Sequence, residues 1–83
     1  MKKIACRVND AVVEIGVADQ EHTWHKHDTE DKFFYVVKGR FRIDFEGKTV
    51  ELAPEQSFMV PKGVMHRTCK VAEQTVMLIV GAA

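Results

Sequence analysis

Phe33-Phe34-Tyr35-Val36-Val37-Lys38-Gly39-Arg40-Phe41-Arg42-Ile43-Asp44-Phe45-Glu46-Gly47-Lys48-Thr49-Val50-Glu51-Leu52 is the stretch that sets the fold class. Phe33 to Val37 is a run of aromatic and β-branched residues, which fit a pleated surface, and Lys38-Gly39 closes it with a turn signal. Arg40 to Phe45 then alternates polar and apolar residues. Side chains along a strand point to opposite faces in turn, so this alternation reads as a strand with one wet and one buried side. Glu46-Gly47 punctuates it, and Lys48 to Leu52 alternates again.

The same pattern continues in both directions. Toward the start, Ile4, Cys6 and Val8 alternate with polar residues, and Ala11 to Val17 is a short apolar run. Toward the end, Ala53-Pro54-Glu55-Gln56 reads as a turn and Ser57 to Val60 as a strand that stops at Pro61. Pro61-Lys62-Gly63 is a further turn, and His66 to Val71 and Thr75 to Val80 are the last two strands. No window sustains the i, i+3, i+4, i+7 spacing of a helix. The expectation is an all-β, antiparallel fold, closed or sandwiched, with little or no helix.

The chain has 83 residues, 46% of them hydrophobic, which suits one domain over residues 1–83 with a single core. Twelve Lys+Arg balance twelve Asp+Glu, and no basic cluster stands out, so no nucleic-acid partner is expected. No apolar run approaches the roughly 20 residues of a membrane span. Arg7, Asn9 and Asp10 interrupt any apolar segment near Met1, so no signal peptide is expected and the cytoplasm is the expected location. Cys6 and Cys69 are then expected as free thiols, although pairing stays open until the fold is known. Cys69, three residues after His66, is expected as a buried structural thiol.

The candidates for chemistry are histidines. His25 and His27, two apart on a strand, would present both imidazoles to one side, and imidazole suits Zn, Cu, Fe and Ni. His22 has the other parity and is expected at the surface. Trp24 and Tyr35 are expected to pack, and Phe41, Ile43 and Phe45 to form core or pocket wall.

Trp24 to Gly39 resembles the first motif of the cupin family, which runs His-x-His, three or four residues, Glu, six residues, Gly. Glu55 to Lys70 resembles the second: Pro61-Lys62-Gly63-Val64-Met65-His66 fits its central Pro-x-Gly-x-x-His, with Gly39 to Ser57 as the intermotif hairpin. The resemblance implies a jelly-roll β-barrel with a pocket at its mouth. It also implies a divalent metal ion (Zn, Fe, Ni or Mn) on His25, His27 and His66, a small-molecule ligand and a homodimer. The alternative is a metal-free polar cluster. An oxygenase or isomerase and a non-catalytic binding barrel are both compatible with the motifs, because fold does not fix function.

The departures are specific. Lys32 stands where the family places its glutamate, and an ammonium has donors but no lone pair for a metal. Glu30, Asp28 and Asp31 are nearby acids, of which Glu30 could substitute only if the loop bends inward. Glu55 replaces the first glycine of the second motif and Lys70 its final asparagine. At Glu55 the turn must either avoid positive φ or tolerate strain.

Overall fold

A computed structural model describes residues 2–18 and 23–82. His22 lies outside the described residues. Eight strands follow one another: β1 (Lys2–Val8), β2 (Ala11–Val17), β3 (Lys32–Lys38), β4 (Phe41–Phe45), β5 (Lys48–Leu52), β6 (Ser57–Val60), β7 (His66–Lys70) and β8 (Val76–Ala82). No helix occurs among the described residues. The strands anticipated between Ile4 and Val17 and between Phe33 and Val80 are all present, with ends displaced by a residue or two.

All pairings are antiparallel, in a five-stranded sheet ordered β1-β2-β8-β3-β6 and a three-stranded sheet ordered β5-β4-β7. The core lies between them. Phe34, Val36, Val60 and Met77 face inward from the large sheet, and Phe41, Ile43 and Leu52 meet them from the small one. Phe34 and Phe41 touch across the gap with ring centroids 5.4 Å apart. The alternation in Arg40–Phe45 therefore reads as expected: Phe41 and Ile43 are buried, whereas the Arg42 guanidinium lies on the opposite face. Among the described residues the two sheets are not hydrogen-bonded into one closed cylinder.

Left-handed backbone occurs among the described residues at Asn9, Gly39, Gly47, Glu55 and Gly63, and two of these positions bear on the packing. Gly39, between β3 and β4, has φ +89°, and a Cβ there would lie 2.5 Å from the Gln74 carbonyl oxygen and 2.7 Å from Thr75 Cα. The tight β3–β4 turn therefore rests directly on the entry to β8. Thr75 is wholly buried in this contact; its hydroxyl lies 2.9 Å from the Arg40 carbonyl and 3.0 Å from that of Ala72. Glu55 has φ +68°, so its turn is strained rather than relaxed.

Candidate metal centre

The histidines converge by a different route from the one their spacing suggests. His25 and His27 are not on a strand. They sit in the irregular segment between β2 and β3, where only His25 forms an isolated bridge, to His66. The reason is composition: His25-Lys26-His27-Asp28-Thr29-Glu30-Asp31 has no apolar side chain to bury, so nothing favours a full ladder there.

Tertiary contacts hold this segment instead. His25 and His66 exchange backbone hydrogen bonds, each 2.9 Å. Gly63 N–H donates to the His27 carbonyl at 2.8 Å, and Lys62 N–H donates to Asp31 Oδ1 at 2.8 Å. On the outside, the Arg67 guanidinium lies 4.8 Å from the Trp24 ring centroid and donates to Asp44 Oδ2 at 3.1 Å. Pro61-Lys62-Gly63 thus does more than turn the chain: its amides fix the loop that carries His27. Motif spacing gave no signal of that role.

Within this frame His25, His27 and His66 each offer a ring nitrogen, and these atoms lie within 4.8 Å of one another. Ring centroids are 4.4 Å apart for His25–His66, 5.1 Å for His25–His27 and 5.7 Å for His27–His66. His25 Nδ1 is 2.7 Å from the Thr23 carbonyl and His66 Nδ1 is 2.9 Å from that of Val64. A carbonyl can only accept, so in the neutral ring Nδ1 carries the proton and Nε2 the lone pair. His66 is wholly buried from β7, and its Nε2 has no hydrogen-bond partner among the described residues.

Two of the rings have lowered pKa values, with burial as the first cause. Burial lowers the His66 pKa; the Val64 carbonyl opposes this, and His25 and His27 add to the lowering. Burial also lowers that of His27, followed by the Lys32 ammonium and then His25. Neutral imidazole is the form that can ligate a metal.

Beside the histidines is a cavity of about 330 Å³, bordered by His25 and His27, Lys2 and Lys32, and Phe34, Phe41, Thr68, Met77 and Ile79 among others. His66 stands behind it rather than on its lining. Lys32 enters from the first position of β3, on the inner face, and its ammonium is 3.6 Å from Glu30 Oε1. That oxygen also accepts the Ala82 N–H at 2.9 Å, which is the largest cause of the lowered Glu30 pKa. Gly81 makes room for this pair, since a Cβ there would collide with Glu30 Oε1 and lie 3.0 Å from Lys32 Nζ.

The other acids stand apart from the histidines: Asp28 pairs with Lys26 at 3.5 Å and Asp31 holds the Lys62 amide. Phe45 packs between Phe58 and His66 with its ring tilted to both, the centroids 5.7 Å and 6.4 Å away. Cys69, expected to be buried, is half-buried on the other face of β7, its Sγ 3.2 Å from the Lys70 carbonyl oxygen. Cys6 is exposed on β1, and the two thiols are not paired.

Comparison with known proteins gives the family and the fold. Residues 11–81 match the profile of the cupin domain family. The chain is 42% identical over 62 residues to the uncharacterized protein YdbB of Bacillus subtilis (strain 168), covering 74% of this chain and 55% of that protein. It is 33% identical over 55 residues to polyketide synthase CurC of Streptomyces cyaneus, covering 66% of this chain and 36% of the relative. The chain thus spans about half of one curated relative and about a third of the other. A cupin-2 domain containing protein from Shewanella frigidimarina superposes over 100% of this chain and 80% of its own, with TM-score 0.94 at 24% identity, a likeness of fold alone. KdgF from Halomonas sp. superposes over 99% of this chain and 79% of its own, with TM-score 0.82 at 26% identity.

Proposed function

Because the chain belongs to the cupin domain family, we propose that it holds a divalent metal ion on His25, His27 and His66 and binds a small molecule in the adjoining cavity. The observation that carries this is the Nε2 of His66. Leaving a buried polar atom without a partner costs about 1–3 kcal/mol, and a cation shared with two neighbouring imidazoles would remove that cost. The Nδ1 contacts to Thr23 and Val64 support the same reading, because metal-bound histidines usually donate their other ring N–H to a carbonyl or carboxylate.

Three imidazoles suit Zn, Fe or Ni, the cupin resemblance adds Mn, and when bound such an ion would polarise a ligand carbonyl or hydroxyl. Lys32 favours a second reading, a metal-free ligand-binding barrel, because its charge repels a cation where a fourth ligand would stand. We take residues 1–83 as one domain, an open jelly-roll barrel, working in the cytoplasm as a homodimer. The pairing surface is the outer face of the five-stranded sheet, where Val8, Ile15, Phe33 and Met59 are exposed.

Elemental analysis of protein purified without chelator or affinity tag tests the metal. About one ion per chain is expected, with loss of most binding in His66→Ala. A metal-free protein that also takes up no Zn, Ni or Mn on titration would overturn the metal site.

A further inference from the structure

The cavity wall divides by chemistry. Val17, Phe34, Phe41, Met77 and Ile79 give it an apolar side, whereas its charged lining residues are Lys2 and Lys32, with no carboxylate among them. Glu30 reaches Lys32 from outside this lining, at a distance of 3.6 Å. That is longer than the 2.7–2.9 Å of a close charge-assisted hydrogen bond. The same oxygen is already taken by the Ala82 amide. An ammonium has three donors, and Glu30 occupies one of them at most. The Lys32 side chain, only 16% exposed, therefore brings a partly desolvated cation with spare donors to a mostly apolar cavity.

We propose that this cavity takes a small carboxylic acid with an apolar body, the carboxylate lying against the Lys32 ammonium. The apolar wall buries the body. The lysine supplies the charge partner without which a carboxylate would not leave water. Lys32 also stands where the cupin motif has an acid, so in this chain the negative charge at that point comes with the ligand. Lys2, at the start of β1, adds attraction from the cavity's edge. The inference rests on the small-molecule cavity proposed above, and the Lys32 contact does not require the metal.

The test compares acids with their neutral amides. Benzoate, phenylacetate and hexanoate, each beside its primary amide, are titrated calorimetrically into the full chain, first metal-stripped and then Zn-loaded. Lys32→Met and Lys2→Met are run in parallel, with circular dichroism confirming that both fold. At least one acid should bind the stripped wild type ten or more times tighter than its amide. Lys32→Met should remove that preference and change amide binding less than twofold, and Lys2→Met should weaken the acid only a few-fold. Equal affinity for every acid–amide pair, no binding of any acid, or an acid preference that survives in Lys32→Met would each overturn the proposal. Zn uptake is read separately. Zn binding without acid preference defeats this inference alone, whereas acid preference in a protein that takes up no Zn defeats the metal reading alone.

Discussion

Lys32 and Glu30 meet on the inner face of β3, beside His27, and the charge balance at that point decides what the cavity can hold. Replacing Lys32 with Glu removes a cation and adds an oxygen ligand, and both changes favour a bound metal. Calorimetric titration of stripped protein should show Lys32→Glu binding Zn, Ni or Mn about tenfold more tightly than wild type, about 1.4 kcal/mol. The variant also sets two carboxylates side by side, so its metal-free form should melt at a lower temperature than wild type. Equal metal affinity would mean that the Lys32 side chain does not act on the histidines.

The turn between β5 and β6 stores strain at Glu55, which replaces the first glycine of the second motif. Glu55 occupies a left-handed conformation with φ +68°, and its N–H donates to the Val36 carbonyl at 2.8 Å, so the strand contact fixes the strained backbone. For a residue with a Cβ that conformation costs roughly 1–2 kcal/mol, whereas glycine adopts it freely but loses more entropy on folding. Glu55→Gly should therefore stabilise the protein by about 0.5–1 kcal/mol in urea unfolding. The opposite sign applies at Gly39, where φ is +89° and the Thr75 backbone leaves no room for a methyl group. Gly39→Ala should cost about 2–4 kcal/mol, since both strain and collision must be relieved by moving β8.

At the scale of the whole molecule, stability should follow pH in two stages. The lowered pKa values of His27 and His66 mean that the unfolded chain binds protons more readily than the folded one. Their contribution is fully present above the ordinary imidazole pKa of about 6.5, and it is lost as pH falls from there through the lowered values. Glu30 and Asp44 give a second window. The Ala82 amide leads in lowering Glu30. Burial would raise Asp44, but the Arg42 and Arg67 guanidiniums more than offset it. Stability from these carboxylates is lost only below about pH 4. The metal-stripped protein should show a lower urea midpoint at pH 5.5 than at pH 7.5, and His27→Gln should flatten that difference. Association belongs to the same scale: sedimentation should give a dimer mass, and Phe33→Lys on the outer sheet face should shift it toward monomer.

Local chemistry determined the strands. Alternation over Phe41–Phe45 and Lys48–Leu52, and turn residues at Gly39, Gly47 and Pro61-Lys62-Gly63, write each element into its own neighbourhood, because side-chain direction and backbone freedom are properties of adjacent residues. The histidines were legible as a motif, since their types and spacing are visible without a fold. Their convergence was not. His25 and His27 lie in a polar loop with no strand to order it, and they are placed by the amides of Gly63 and His66 and by the stacking of Arg67 on Trp24. The buried Nε2 of His66, unpartnered among the described residues, the Lys32–Glu30 pair over Gly81 and the cavity wall of Met77 and Ile79 likewise depend on residues far apart in the chain. Only the packing of one sheet against the other brings them within reach, and no periodicity along a single chain encodes which distant side chains will face each other across that gap.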